Sequence, residues 1–275
     1  MNKKAPPLNK MLATELYLYQ MLHLYHGRVR LLDRHVELLD RCVRELFGTE
    51  YRSDLRTLER QVLATAAAAR YPSDISAFVR IELTAAGEVR LLPAGVSYYG
   101  GYALRSVRPA GVSVRCEPPL DGYPTQARDA AVTAARRMAE CAGGRVAVQH
   151  DADGTYHTIE GSPLAVVRED TVWLAPEGRA YEIPASGFRL GEGALRGCRF
   201  DPPHSVEYGL LAGAVQAAGL TLREEAFDAE VVNGADELFW LDHRGVTALS
   251  YCDGRPLMAL AAERIAAALE KLFVA

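Results

Sequence analysis

The sequence predicts a mixed α/β (α+β) chain of two domains, and three observations carry that prediction. Strand-like and helix-like apolar patterns are mixed in the first half of the chain. Short β-like runs separated by turn residues dominate the second half. A Pro/Gly-rich stretch, Glu117-Pro-Pro-Leu-Asp-Gly-Tyr-Pro124, divides the two. The expected division is an N-terminal α/β domain over 1–120 and a larger β-rich domain with helices over 121–275. With 275 residues the chain can bury a sizeable core, as one large domain or two modest ones.

Residues 1–10 have the composition of a loose tail. From Ala13 to Leu31 the pattern is strand, turn, strand around Tyr25-His26-Gly27. Leu16, Leu18, Leu22 and Leu24 lie on one face, and tyrosines with Met21 on the other, as in a strand buried on both sides. Asp33 is the candidate N-cap of a helix in which Val36, Leu39, Val43 and Leu46 recur at helical spacing until Gly48. A second helix is expected from Ser53-Asp54 to Pro72, then strands over 75–83 and 88–92 around Ala85-Ala-Gly87. Further strands are expected near 98–107 and 112–114.

Beyond the Pro/Gly stretch a helix is expected over 126–141. Hairpins follow around Asp151-Ala-Asp-Gly154 and between 164–168 and 171–175. Residues 177–203 are rich in glycine and loop-like. A helix over 205–218, a strand after Asn233, a turn at Asp253-Gly-Arg255 and an amphipathic helix over 257–273 complete the chain. Asp236 and Glu237 are neighbours on a strand and point to opposite faces, which argues against a joint acid–base role.

Composition excludes several classes of function. The net charge of −4, without long runs of one sign, offers no electrostatic footprint for nucleic acid or an anionic membrane. No apolar stretch reaches the ~20 residues of a membrane span, and the N-terminus lacks a secretory apolar region. Five scattered cysteines without a Cys-x-x-Cys pair fit reduced thiols, and a cytoplasmic location is expected. Gln149–Gly154 superficially matches a calcium-loop spacing, but its first position is Gln149 and its flanks read as strands. His150 and His157 lack a third ligand, so no metal is expected. Of the 31 basic residues only Lys3, Lys4, Lys10 and Lys271 are lysine, and none lies between Lys10 and Lys271.

Several segments carry a resemblance when taken together. They are Asp121-Gly-Tyr-Pro-Thr-Gln-Ala-Arg128, the hairpin ending at Thr158-Ile-Glu160-Gly161, the helix opening His35-Val-Glu-Leu38-Leu39, the helix at Ser205-Val-Glu207-Tyr208 and Asn233-Gly-Ala-Asp236-Glu237-Leu-Phe239. In order and spacing, over about 14–273, they resemble the fold-type IV pyridoxal-phosphate enzymes: branched-chain and D-amino-acid aminotransferases and aminodeoxychorismate lyase. The resemblance implies two domains with a ligand cleft between them and a homodimer. It places Glu160 where the family pairs a glutamate with the pyridine nitrogen. It places Arg128 where the family has its Schiff-base lysine, and Leu38 where it has a phosphate-binding arginine. At the helix N-terminus that holds phosphate in the family stands Ser205, with Glu207 in place of a threonine.

Arginine cannot form the lysine's covalent bond or shuttle its proton. The leading expectation is therefore a class IV aminotransferase-like protein without covalent cofactor chemistry, with no cofactor bound. Its cleft would bind a small anionic carboxylate, with cofactor-independent catalysis at Arg128 and Glu160 and binding contacts from Arg80, His35 and Ser205. For Arg80 a plain pairing with Glu82 on the same strand face competes with pocket lining, and for His35 a helix-surface or capping role competes with function. Two alternatives stay open: a pyridoxal-phosphate aminotransferase or lyase served by a tail lysine such as Lys10, and a non-catalytic pseudoenzyme or partner subunit.

Overall fold

In the computed structural model, residues 16–178 and 202–273 are described, together with the strand segments 181–182, 188–190, 193–195 and 199–200. The tail, with Lys3, Lys4 and Lys10, lies outside them, and so do Gly187, Gly191 and Gly197 of the glycine-rich stretch.

The first sheet is antiparallel and ordered β2-β1-β3-β4, with β1 Tyr17–Tyr25, β2 Arg28–Val29, β3 Ser76–Thr84 and β4 Val89–Ser97. Helices α1 (Leu32–Phe47) and α2 (Leu55–Ala68) pack on it. Leu18 and Leu22 of β1, Val79 and Ile81 of β3, Leu39 and Val43 of α1, and Leu58 and Val62 of α2 form its core. Each such aliphatic side chain contributes ~1.5–3 kcal/mol by leaving water.

Asp54 caps α2 as expected, accepting from Thr57 N at 2.9 Å. At α1 the expectation is corrected: the N-cap is Leu31, in the left-handed region at φ 52°, and Asp33 sits in the first turn. An acid there still favours the positive end of the helix dipole. The strand expected over 98–107 does not form either. A single bridge, Leu104 to Val246, remains, because Gly100, Gly101 and Pro109 punctuate this run.

The second sheet is built from β5 Ala110–Arg115, β6 Val146–His150, β7 Tyr156–Ile159, β8 Ser162–Arg168 and β9 Thr171–Leu174. The short pairs β10 Tyr181–Glu182 with β13 Arg199–Phe200, and β11 Phe188–Leu190 with β12 Gly193–Leu195, stand apart from it. It is completed by β14 Thr221–Glu224, β15 Glu237–Asp242, β16 Gly245–Ala248, β17 Tyr251–Cys252 and β18 Arg255–Pro256. Its order is β14-β9-β8-β7-β6-β5-β17-β18, with β15 joining β8 to β16.

Helix α3 (Gln126–Cys141) covers β5 and β6 through Ala135 and Ala139. Helices α4 (Val206–Ala217) and α6 (Leu260–Lys271) cover another part of the sheet through Leu211, Ala214, Ile265 and Leu269. The one-turn α5 (Ala229–Asn233) precedes β15. Fold and sequence pattern agree on a mixed α/β architecture.

The stretch between β5 and α3 is fixed in place. Tyr123 is fully buried in the first core, and its hydroxyl donates to Glu45 Oε2 at 2.5 Å. Tyr19 N of β1 donates to Pro124 O at 2.9 Å. Gly122 has φ +83°, and a Cβ there would lie 2.4 Å from Pro202 Cβ, so only glycine fits. The start of α3 is thereby set against the first sheet.

Candidate functional site

A cleft of about 240 Å³ opens where four parts of the chain meet. These are β1 (Tyr19, Gln20, Met21), the first turns of α3 (Arg128, Asp129, Val132, Arg136), the β7–β8 turn (Glu160 to Pro163), and a far wall. Glu177, Ser205, Glu207 and the β15–β16 turn Asp242-His243-Arg244 make up that wall. Arg128 and Glu160, assigned as catalytic, therefore line one cleft, and Ser205 lines it too.

Arg128 arrives there because Thr125 caps α3, its hydroxyl accepting from Arg128 N at 3.2 Å. The cleft's three guanidinium groups are used differently. Arg136 pairs with Glu160. Arg244 pairs with Asp242 at 2.7 Å. Arg128 donates Nη2 to Gly161 O at 2.6 Å, and its buried Nε has no partner among the described residues.

Glu160 is held rather than free. It sits in the left-handed region at φ 54°, its Oε1 accepts from Ala147 N at 3.0 Å, and Arg136 takes Oε2. A carboxylate saturated in this way orients the turn more readily than it accepts a substrate proton.

The remaining expected contacts fall outside the cleft. Arg80 lies behind it, its Nε 3.0 Å from Glu82 and its Nη2 3.5 Å from Asp129, with its guanidinium over the Tyr19 ring. The Tyr19 hydroxyl in turn donates to Asp129. The pairing of Arg80 with Glu82 is thus present, and Arg80 acts on the cleft through Tyr19 and Asp129. His35, in the first turn of α1, is fully buried, with Nδ1 2.8 Å from Gln20 Oε1. Burial lowers its pKa to about 4, so it is neutral. It meets the cleft only through Gln20, since the apolar face of α1 carries it into the core. Leu38 lies in a separate groove of about 590 Å³ between α1 and α4, with Arg34 and Arg41.

Three further groups shape the cleft, of which the sequence singles out only Glu207. Burial raises the Glu207 carboxyl to about 7, and its own backbone N–H opposes the shift. Glu177 and Asp242 raise it further, while Arg128 lowers it. His243 is brought down to about 4, chiefly by burial, and presents a neutral imidazole. Glu177, 3 % exposed, accepts from Ser205 N at 2.5 Å and from Ser205 Oγ at 2.8 Å. Glu207 stands out in the sequence by its place at a helix start; Glu177 and His243 are loop residues whose roles come from tertiary contacts. Chemically, the cleft offers a guanidinium for an anion, a carboxyl group that titrates near neutrality and a neutral imidazole.

No family model matches the sequence, and no curated protein matches it. Solved structures do match. One is an aminotransferase from Brucella abortus bound to the cofactor PLP: 16 % identity, 94 % of this chain and 88 % of that one, TM-score 0.69. A second is a putative 4-amino-4-deoxychorismate lyase from Legionella pneumophila: 11 % identity, 98 % and 96 % coverage, TM-score 0.71. A third is a branched-chain aminotransferase from Thermoproteus uzoniensis: 18 % identity, 95 % and 86 % coverage, TM-score 0.69.

The chain has the fold-type IV aminotransferase and lyase fold. This bears out the resemblance drawn from the motif order. It also corrects the expectation of a cleft without a cofactor. The Brucella abortus structure holds PLP, and branched-chain aminotransferases of the same fold are solved with N-(5'-phosphopyridoxyl)-L-glutamate and with pyridoxamine 5'-phosphate. The fold adopted here is one that carries pyridoxal phosphate.

Proposed function

We propose that this aminotransferase/lyase-like cleft holds a small carboxylate on Arg128 and exchanges a proton with it through Glu207, with no lysine taking part. Arg128 carries the reading: among the described residues it is the guanidinium of the cleft that is not matched to a carboxylate partner of its own. The cleft's acids do not argue against an anionic ligand. Glu160 and Asp242 are paired with Arg136 and Arg244. Asp129 is engaged by Tyr19 and Arg80, and Glu177 by the start of α4. Glu207, at about 7, is half protonated near neutrality. Arg128 is left to set the sign, and its planar fork suits a carboxylate.

A lysine-linked pyridoxal phosphate does not fit these residues. Lys271, exposed at the end of α6, is the only lysine among the described residues. At the start of α4 Ser205 N and Ser205 Oγ already serve Glu177, and Tyr208 N serves Ser205 Oγ. What the chain itself supplies is a carboxylate seat at Arg128, a proton donor or acceptor at Glu207 Oε, and the neutral His243 ring beside it.

A branched-chain aminotransferase of this fold is solved with 4-methylvaleric acid, which makes that acid a suitable probe. Calorimetric titration should show binding to the native protein and at least tenfold weaker binding to Arg128→Gln. The loss of one charge-assisted contact is worth about 1.5–3 kcal/mol. Equal affinity in the two proteins would rule out Arg128 as the seat. Separately, borohydride reduction in the presence of pyridoxal phosphate should leave the protein at its native mass. A stoichiometric pyridoxyl adduct on any lysine would overturn the lysine-free part.

A further inference from the structure

We propose that Cys116 is a site of reversible oxidation by hydroperoxides, and that its sulfenic acid, received by Gln149 and Arg128, closes the carboxylate seat of the cleft. The control of the seat rests on the reading of Arg128 given above; the oxidation site itself does not.

The parallel strands β5 and β6 set the geometry. Val114 pairs with Gln149, so the side chains of Gln149 and of Cys116, two residues past Val114, leave the sheet on one face. Helix α3 covers that face: Val114, Ala147, Ala135 and Ala139 form a small core against which Cys116 packs. The Cys116 sulfur lies 3.7 Å from Ala131 O, about one turn beyond Arg128. Cys116 N donates to His150 O at 2.9 Å, which carries the strand pairing past Arg115. The thiol is half-buried. Cys42 and Cys252 are buried, and their thiols are pushed up to about 12.

Around this thiol the fold holds N–H groups that lack an acceptor. Gln149 is 3 % exposed, and its amide cannot turn over, because Oε1 accepts from Thr158 Oγ1 at 2.6 Å and from Gly161 N at 3.0 Å. Its buried Nε2 has no oxygen or nitrogen acceptor among the described residues. The group it reaches is the Cys116 sulfur, a weak acceptor. Arg128 grips the same turn from the other side, Nη2 donating to Gly161 O at 2.6 Å, and its buried Nε is also without an acceptor. Buried donors left unmet are costly. An oxygen on Cys116 supplies an acceptor at the point where both are missing one.

The oxidant balances the step. The Cys116 thiolate attacks the outer oxygen of a hydroperoxide, forming the S–O bond and breaking the O–O bond. Sulfur gives up two electrons, the peroxide is reduced to an alcohol or to water, and the leaving oxygen takes the proton that the thiol released. Burial raises the thiol above its ordinary value, with Asp121 and Glu117 in the same sense; Gln149 and Arg128 pull against them. The thiolate is therefore a minor species at neutral pH, and oxidation should quicken from pH 7 to pH 9. Once formed, the sulfenic oxygen draws on the Arg128 guanidinium, which then has less to offer a carboxylate in the cleft.

Treatment with hydrogen peroxide, trapping with dimedone and peptide mass spectrometry read the site directly, with the exposed Cys141 of the same sample as reference. Cys116 should be labelled in the native protein, and dithiothreitol added before dimedone should remove the label. Gln149→Glu keeps the acceptor for Thr158 and Gly161 but removes the Nε2 donor, so labelling of Cys116 relative to Cys141 should fall about fivefold. On oxidation the native protein should lose about tenfold in affinity for 4-methylvaleric acid and regain it with dithiothreitol. Cys116→Ser should bind as the native protein does and ignore peroxide. If Gln149→Glu fails to fold, Cys116→Asp serves: with an acceptor fixed in this place, it should bind about tenfold more weakly than the native protein, with or without peroxide. An unlabelled Cys116, equal labelling in Gln149→Glu, native affinity in Cys116→Asp, or loss of binding on oxidation of Cys116→Ser would overturn the proposal. If the reduced protein does not bind 4-methylvaleric acid at all, the Arg128 reading falls and takes the control of the seat with it, while the labelling still decides the oxidation site.

Discussion

Glu237→Ala should lower the unfolding free energy by about 3–5 kcal/mol, through the loss of acceptors for two buried N–H groups and of an anion at a helix start. Glu237 is 2 % exposed on β15, and its two oxygens accept from Ala261 N at 2.8 Å and Ala262 N at 3.0 Å. These are unsatisfied donors of the first turn of α6, whose N-cap Ala259 makes no side-chain hydrogen bond. Helix α6 carries Ile265 and Leu269 into the core beside α4, so loosening its start also loosens the wall behind the cleft. Urea denaturation of the two proteins reads the effect directly. Glu237→Gln keeps one acceptor and should recover roughly half of the loss. A change below about 1 kcal/mol for Glu237→Ala would mean that water replaces the carboxylate at no cost.

The same residue shows what could and could not be seen in the sequence. The motif Ala235-Asp236-Glu237 and the strand alternation correctly separate the two carboxylates. Asp236 accepts from Glu169 N at 2.8 Å while Glu237 turns to α6. Strand spacing cannot reveal that a helix starting 23 residues later needs an internal acceptor.

The start of α3 is legible for a local reason: Thr125 opens it and the apolar face Val132, Ala135, Ala139 follows at helical spacing. Arg128 and Glu160 could be brought to one cleft from motif order alone. The partner of Glu160 could not, because Arg136 reaches it only through the packing of α3 on β6. The partner of His35 is Gln20, in the middle of β1, a contact between strand and helix that sequence spacing does not reveal. Leu31 caps α1 without a sequence signal, because a leucine in the left-handed region is uncommon.

Glu207 should make stability fall as pH rises from about 4.5 to about 7, and Glu207→Gln should abolish that part of the slope. Its carboxyl is raised from 4.5 to about 7, first by burial and then by Glu177 and Asp242. Below 4.5 the group is protonated in the folded and unfolded chains alike, and it contributes nothing to the pH dependence. Between 4.5 and 7 the folded chain retains a proton that the unfolded chain has lost, so raising the pH favours unfolding. Above 7 both are ionised and the accumulated cost levels off at about 2–3 kcal/mol, allowing for partial exposure in the cleft. At pH 8 Glu207→Gln should accordingly exceed the native protein in stability by that amount, and the two should converge near pH 4.5. Asp242, held low by His243 and Arg244 against the effect of burial, acts in the opposite direction but is common to both proteins. The difference between the two curves, measured by urea denaturation at several pH values, isolates Glu207. A difference that stays flat from pH 4.5 to 8 would mean that the carboxylate is solvated in the cleft and titrates as an ordinary surface acid, which would remove it as the proton-transfer group.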